Sequence, residues 1–386
     1  MPRILSQSKN GEVIIFVISA VAVFLASLRN FYFDNLGGSV PSFISVPIFI
    51  FLSILCFYKY QVKISFTKEY IATLFLIAVT AMVHAVVVFD GYSSKAAAGF
   101  LLGGAMFAST YVVFFGRWNL FAKVLGVVLL SHILFYFIQI AVYFLLDGFY
   151  LDYVSLSDDR SRWFSSKAYM WDGQQIPRFT GLFAEPGTYS GTIGAIAAAR
   201  LMIVQKIDFI CVLAVITLLV SASMTGYVLS FLIFCALLFF AARSSGAVIS
   251  RRVVLGVAAS FIVMVVLLVS AFFKRPMDTL AEDVAVKNFL WLLNVENFSL
   301  FGHRMDDIPS YVSIDYLGVW SSAYVRFGLF GLISVLLPFF GLVFFNPFLV
   351  GAILAAKLQV TFPLVFILMA ATYGFMQDKK KSNSKP

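Results

Sequence analysis

Charged side chains are scarce in this sequence. They make up 12% of its 386 residues, whereas 61% are hydrophobic and the mean hydropathy is +0.94. A soluble domain of this size carries about 25% charged residues, so the composition excludes an ordinary soluble protein. The apolar residues come in runs of about 20, the length that crosses roughly 30 Å of hydrocarbon. We therefore expect an all-α, polytopic integral membrane protein in which residues 1–386 form a single transmembrane domain.

Sequence signals for metal and nucleotide chemistry are also missing. The three cysteines, Cys56, Cys211 and Cys235, fall inside apolar runs, and their spacing indicates packing rather than disulfides or a metal cluster. No glycine-rich phosphate loop is present, and no Asp-x-Asp accompanies a nucleotide-binding pattern. The sequence thus predicts neither a cofactor nor a metal site.

The net charge of +9 is explained by membrane topology and does not indicate a nucleic-acid partner. Basic residues cluster in alternate connections, as the positive-inside rule requires of cytoplasmic loops. These residues are Arg3 and Lys9; Lys59, Lys63 and Lys68; Arg117 and Lys123; Lys206; Arg243, Arg251 and Arg252; and Lys379, Lys380, Lys381 and Lys385. This distribution predicts a multi-pass membrane protein with both termini in the cytoplasm. We expect the basic tail, 377–386, to be disordered.

Eleven apolar runs lie at 13–29, 41–58, 70–89, 96–116, 119–146, 188–204, 208–222, 226–242, 253–273, 322–345 and 348–376. Two cytoplasmic termini require an even number of crossings, so we expect about twelve transmembrane helices, with the last run crossing twice. The N-terminal run lacks a cleavage site, so we interpret it as a retained helix. The final run contains Lys357 and Pro363, which is compatible with one tilted helix or two short ones.

Two long connections, 147–187 and 274–315, hold most of the acidic residues. Thirteen of the 19 acidic side chains lie in these two segments, and the predicted orientation places both on the non-cytoplasmic side of the membrane. Long irregular loops are uncommon unless they are functional or disordered. We therefore expect the polar chemistry at the external face of the membrane.

The first connection ends in Arg178-Phe-Thr-Gly181-Leu-Phe-Ala-Glu185-Pro186-Gly187 and leads directly into a helix. The N-terminus of that helix favours an anion, and the planar guanidinium of Arg178 suits two phosphate oxygens at once. The alternative is structural, with Arg178 and Glu185 paired as a clamp.

Two further stretches carry candidate chemistry. The first is Ser221-Ala-Ser223-Met-Thr225-Gly226-Tyr227, which is also explained by a tight turn capped by hydroxyls. The second is Phe301-Gly302-His303-Arg304-Met305-Asp306-Asp307, followed by Asp315, Arg326, Gly328 and Gly331. Arg326 would lie about four residues inside a helix, where an ionisable group marks a pathway or a partner or reaches outward to the headgroups.

In layout and in these three stretches the chain resembles the O-antigen polymerase and ligase superfamily. The resemblance implies a GT-C-like glycosyltransferase architecture and a polymerase that extends polysaccharide on undecaprenyl diphosphate. The Ser-x-Thr-Gly turn is similar to that of the polymerases, and the arginine typical of ligases is missing. The chain also lacks the Gly-x-Gly-x pattern and the His-Asn pair of ligase-like members.

The resemblance and the residue chemistry together give a set of candidate site residues. The catalytic candidates are three arginines that would neutralise the diphosphate and two possible general bases: Arg178, Arg304 and Arg326; Glu185 and His303. The substrate-binding candidates are Arg160, Arg162, Trp163, Trp171, Ser223, Thr225, Asp306, Asp307 and Asp315. Either Asp306 or Asp307 is a further candidate base, and the tryptophans are alternatively membrane-interface residues. His84 and His132 fall within spans and are expected to be packing residues.

The expected partners are undecaprenyl-diphosphate-linked oligosaccharide repeats and membrane lipids, with a chain-length regulator implied by the resemblance alone. Three alternatives stay open at this point. An O-antigen ligase would pass the finished glycan to another acceptor. A flippase or transporter for lipid-linked oligosaccharide would carry its charges at mid-membrane on broken helices. A structural scaffold would not need two long acidic loops.

Overall fold

The computed structural model describes residues 9–28, 32–33, 38–60, 66–88, 91–153, 168–171, 174–183, 185–206, 208–244, 284–310, 312 and 317–383. Within these ranges the chain is predominantly helical. The α-helices are α1 (Lys9–Ser27), α2 (Val40–Tyr60), α3 (Lys68–Val87), α4 (Gly91–Phe114), α5 (Trp118–Leu145), α6 (Pro186–Val204), α7 (Phe209–Val220), α8 (Met224–Ser244), α9 (Val284–Leu293), α10 (Val319–Leu336), α11 (Phe340–Val343), α12 (Pro347–Ala355) and α13 (Pro363–Asn383). Short 3₁₀ turns lie at Val295–Asn297, Met305–Asp307 and Leu337–Phe339.

Five of the described helical segments are long and apolar enough to cross a membrane. They are Pro41–Tyr58, Lys68–Val87, Ser94–Phe114, Trp118–Leu145 and Val319–Val343. This is the composition of a membrane-embedded protein. The 12 residues of α7 and the nine of α12 are shorter, and at 1.5 Å per residue neither crosses about 30 Å of hydrocarbon alone. The predicted helix at 253–273 lies outside the described residues, and the count of twelve crossings stays a prediction.

The two long connections contain local secondary structure. In the first, β3 (Ala168–Trp171) and β4 (Gln174–Pro177) form an antiparallel hairpin in which Trp171 opposes Gln174. A second, two-residue ladder joins β1 (Tyr32–Phe33) to β2 (Gly38–Ser39) between α1 and α2. In the second connection, α9 precedes the first two 3₁₀ turns. The hairpins are short exceptions to the all-α architecture expected from the sequence.

Helix α6 lies at the centre of the bundle. Every residue from Thr188 to Ile203 is buried, and the helix contacts α5, α7, α8, α12 and α13. Small residues allow these close contacts: a Cβ at Gly191 would lie 2.7 Å from the backbone nitrogen of Lys357, and one at Gly194 would lie 2.5 Å from Leu229 Cδ1. The first residues of α6 are therefore surrounded by neighbouring helices.

Helix α10 is interrupted at Gly328, whose φ of 66° and ψ of −155° are not helical. The end of the second long connection packs against this interruption. The N–H of His303 donates to the carbonyl of Val325 at 3.0 Å, and the N–H of Leu329 donates to Ser299 at 3.0 Å. The loop thus satisfies backbone groups that the broken helix leaves unpaired.

Glycine at position 302 permits this contact. Its φ is +94°, and a Cβ there would lie 2.0 Å from the carbonyl oxygen of Arg326. Because α10 begins at Val319 rather than near 322, Arg326 is its eighth residue. The prediction that Arg326 lies about four residues inside the helix was therefore wrong, since it lies two turns inside.

The C-terminal run divides into two helices. α12 ends at Ala355 and α13 begins at Pro363, so the alternative of one tilted helix over 348–376 is wrong. The expectation of a disordered tail is also wrong for most of its length. α13 continues through residues 377–383, where the lysine-rich sequence retains good helix formers.

Candidate functional site

The irregular chain between α12 and α13, residues 356–362, lies inside the bundle, and we call it the break segment. Ala356, Leu358 and Val360 are at most 2% exposed, while Lys357 and Gln359 are each 7% exposed. Non-helical backbone inside a membrane protein is tolerated where it is buried in protein or lines a cavity. Ser322 Oγ on α10 accepts the N–H of Val360 at 3.0 Å. The break segment is thus a buried polar element that the sequence did not predict.

Lys357 forms an ion pair with Glu185, the N-cap residue of α6. Its Nζ donates to Glu185 Oε2 at 2.5 Å, with the lysine side chain 9% exposed and the carboxylate 26% exposed. The Glu185 side chain makes no capping hydrogen bond. A buried ammonium requires a counter-charge, and removing one partner of such a pair costs about 3–5 kcal/mol. The proposed clamp between Arg178 and Glu185 stays a prediction.

Ser223 lies beside this ion pair. A Cβ placed at Gly187 would be 3.5 Å from Lys357 Nζ and 3.7 Å from Ser223 Oγ. Glycine at 187 therefore leaves a small space that both polar groups border. Ser223 is itself only 2% exposed.

The turn between α7 and α8 is capped by hydroxyls, as its structural interpretation predicted. Ser221 Oγ is 2.8 Å from Ser190 Oγ, and Ser223 Oγ accepts the N–H of Gly226 at 3.4 Å. Ala222 has a φ of +48° at the apex. Thr225 is half-buried in the first turn of α8. Ser223 thus both caps a helix and borders the ion pair.

Arg326 also contacts the break segment. It is 8% exposed, and its Nη2 donates to Gln359 Oε1 at 3.2 Å. This contact is incompatible with the alternative that the side chain reaches outward to the headgroups. Gln359 is two residues from Lys357. The break segment therefore contains both the partner of Arg326 and the partner of Glu185.

Arg178 lies in a turn that is held by α5. Gln139 is fully buried, and its Oε1 accepts the N–H groups of Thr180 and Gly181 at 2.8 and 2.9 Å. The hydroxyl of Tyr150 donates to the Arg178 carbonyl at 2.9 Å. Burial raises the pKa of Tyr150 to about 12, although the nearby Arg178 charge acts in the opposite direction. The turn is therefore anchored through its backbone.

His303 is half-buried next to the interruption of α10. Its ring lies 5.0 Å from that of Trp291 in an edge-on arrangement. Desolvation lowers the pKa of His303 below its usual 6.5, although a hydrogen bond to the Asn297 backbone and the charge of Asp307 act in the opposite direction. Nε2 is buried and has no hydrogen-bond partner within the described ranges. His303 is thus held largely neutral at physiological pH.

Arg304, Asp306 and Asp307 are exposed around a 3₁₀ turn, in which the Asp307 N–H donates to the Arg304 carbonyl at 3.1 Å. The structure thus places these three side chains at the surface of the second connection rather than beside the break segment.

The two histidines within helices have hydrogen-bond partners typical of packing residues. His84 Nδ1 is 2.9 Å from the carbonyl oxygen of Phe301, and His132 Nε2 is 2.6 Å from Ser27 Oγ. His84 additionally packs edge-on against Phe327. It therefore helps to fix the second long connection on α3 and α10.

One candidate residue from each of the three sequence stretches lies at or next to the break segment: Glu185 bonds to Lys357, Arg326 bonds to Gln359, and Ser223 borders the space beside Lys357. Four other candidates lie outside the described residues: Arg160, Arg162, Trp163 and Asp315. Trp171 ends β3, and its side chain is likewise outside the described part.

Sequence reasoning missed three buried polar residues that organise this region: Gln139, Lys357 and Gln359. Each had a visible signal, because a polar residue inside an apolar run is costly in a membrane and is retained for a partner or a function. From the sequence, Lys357 indicated only that the final apolar run could divide into two helices.

The described chain is a helical, membrane-embedded protein with a buried polar cluster at a helix break. No family model, curated protein or solved structure matches the chain.

Proposed function

We propose that this protein is a polysaccharide polymerase of the bacterial inner membrane. It transfers a growing glycan from undecaprenyl diphosphate onto the next lipid-linked repeat at the periplasmic face. The observation that carries the proposal is that Glu185 bonds to Lys357 and Arg326 to Gln359, two residues of the break segment, with Ser223 beside the first pair. Glu185, Ser223 and Arg326 come from the three stretches that resemble the O-antigen polymerases.

The reaction requires positive charge beside the leaving diphosphate and a proton acceptor beside the attacking hydroxyl. The donor's anomeric carbon bears a diphosphate, which leaves readily once its developing charge is stabilised by positive groups. Arg178 and Arg326 supply bidentate guanidinium groups for this purpose, and Arg304 would meet the substrate nearer the surface. The attacking hydroxyl needs a base within hydrogen-bond reach. We assign that role to Glu185, with neutral His303 as the second candidate.

The surrounding bundle suits the proposed substrates. Apolar grooves between helices would hold the polyprenyl tails, while the two acidic connections would contact the sugars. Arg160, Arg162, Trp163, Trp171, Asp306, Asp307 and Asp315 are the proposed sugar-contacting residues in those connections. A twelve-helix, GT-C-like topology with cytoplasmic termini belongs to the same proposal.

A transporter of lipid-linked oligosaccharide is the second candidate function. The interruption of α10 at Gly328 and the buried Lys357 favour it, because transporters place ionisable groups on broken helices. Ligase activity is the alternative within the resembled superfamily, but the Ser-Met-Thr-Gly turn favours the polymerase.

Deletion of the gene in its native host distinguishes the three functions. Loss of a polymerase leaves single repeats attached to the final acceptor, and a gel shows one short product instead of a ladder. Loss of a ligase leaves the glycan on undecaprenyl diphosphate, whereas loss of a transporter removes periplasmic glycan altogether. Either of the last two patterns would overturn the proposed polymerase.

A further inference from the structure

Lys357 is a buried cation that the chemistry above does not use. Its ammonium lies in non-helical chain, 2.5 Å from the carboxylate of Glu185. Its side chain is 9% exposed, against 26% for Glu185. Glu185 therefore lies at the more accessible side of the pair and Lys357 at the more enclosed side.

A second polar group borders the same place. The space left by Gly187 adjoins both Lys357 Nζ and Ser223 Oγ, and the next polar residue of the break segment, Gln359, accepts a hydrogen bond from Arg326. The first turn of α6, which begins with Pro186 and carries the partial positive charge of a helix N-terminus, starts directly after Glu185. An anion at this point would meet the Lys357 ammonium, the Ser223 hydroxyl and the N-terminus of α6.

Within the proposed function, we propose that Lys357 binds the diphosphate of the lipid-linked donor and that this diphosphate displaces Glu185 from the ammonium. In the resting protein the ion pair holds Glu185 in contact with a cation, which weakens the carboxylate as a base. Donor binding transfers the ammonium to the diphosphate and releases the carboxylate for proton transfer. The protein thus acquires its base only when the donor is bound.

The step balances without any further reactant. The acceptor hydroxyl oxygen forms a bond to the donor's anomeric carbon while its proton passes to Glu185. The bond between the anomeric carbon and the diphosphate oxygen breaks, and its electron pair leaves with undecaprenyl diphosphate. Lys357 and Arg326 stabilise that leaving anion. The partly exposed Glu185 then returns the proton to water.

The test measures binding of undecaprenyl diphosphate to the purified full chain in detergent, with undecaprenol as the ligand that lacks the anion. Lys357→Met should weaken binding of the diphosphate by about tenfold to a hundredfold, the worth of one charge-assisted hydrogen bond. It should leave undecaprenol binding unchanged. The matched control is Lys379→Met, which removes an amine bonded to Gln205 at another site and should leave both affinities unchanged.

Glu185→Gln provides a result that a purely structural ion pair would not give. Because the substitution removes the carboxylate that competes for Lys357, it should tighten diphosphate binding several-fold while abolishing polymer formation. The amide oxygen still accepts the hydrogen bond of the buried amine but supplies no counter-charge, so the affinity is measured on the folded fraction isolated by size-exclusion chromatography.

The outcomes separate this inference from the proposed function. If the wild-type protein forms polymer and binds the diphosphate, but neither substitution changes the affinity of the folded protein, Lys357 has only a structural role. Weaker binding by Glu185→Gln would overturn the displacement step. Failure of the wild-type protein to bind undecaprenyl diphosphate at all would reject the proposed function itself.

Discussion

Substitution of Gly302 by alanine tests whether the second long connection is fixed to the interruption of α10 by close backbone contact. The new Cβ would lie 2.0 Å from the Arg326 carbonyl oxygen and 2.4 Å from its carbonyl carbon. Both atoms are backbone, so a side-chain rotation cannot relieve the overlap. The φ of +94° adds strain for any residue with a Cβ.

The backbone strain at positive φ and the overlap of the new Cβ with the Arg326 backbone can be given separate magnitudes. An alanine in left-handed backbone costs about 1–2 kcal/mol, and forced overpacking of a close contact costs about 1–3 kcal/mol more. Gly116→Ala is the matched control, because Gly116 has a φ of +70° but no atom within 4 Å of its ideal Cβ. Gly302→Ala should therefore lower the free energy of unfolding by about 1–3 kcal/mol more than Gly116→Ala.

The assay is equilibrium unfolding of both purified variants in mixed micelles, followed by tryptophan fluorescence. Gly302→Ala should also reduce polymer formed per folded molecule, because the displaced carbonyl belongs to Arg326. Equal destabilisation by the two substitutions would refute the close contact between the connection and α10.

Three further predictions follow from other parts of the molecule. Arg178→Lys should abolish polymer without reducing insertion, because lysine keeps the charge but loses the bidentate geometry; a normal ladder on a gel would count against a diphosphate clamp. The pKa of His303 is lowered by burial from 6.5, so the unfolded chain binds more protons just below that pH. The melting temperature should consequently fall as the pH drops below about 6.5, and less steeply in His303→Gln; identical pH profiles would contradict the burial of this ring. Asp208→Ala should destabilise the protein by about 3 kcal/mol, because the buried Arg200 loses its bidentate partner at 2.9 and 2.5 Å. The length of the polymer made by the folded variant should stay unchanged. A shortened ladder would show that the Arg200–Asp208 pair acts on the reaction.

Apolar run length predicted the helices because, in hydrocarbon, the backbone must satisfy its own hydrogen bonds. The runs at 41–58 and 119–146 correspond closely to α2 (Val40–Tyr60) and α5 (Trp118–Leu145). The same reasoning could not divide 348–376, since hydropathy does not reveal where a buried chain leaves the helix. Here Lys357 and Gln359 are satisfied by Glu185 and Arg326, residues more than 30 positions away in sequence.

The candidate site was predictable only in part for the same reason. Glu185 and Arg326 stood out as ionisable residues next to or inside apolar runs. Their partners depend on tertiary packing, and a single sequence does not show which distant residues meet. The contact of Gly302 with α10 was equally hidden, although a glycine next to a helix interruption is a suitable residue for close backbone approach.

The most direct test of the proposed polymerase uses purified protein, an undecaprenyl-diphosphate-linked repeat and EDTA, with the products separated on a gel. The account predicts a ladder of polymer despite the chelator, and no ladder from the Arg178→Ala variant. Single repeats alone from the wild-type protein, or a ladder that EDTA abolishes, would contradict it.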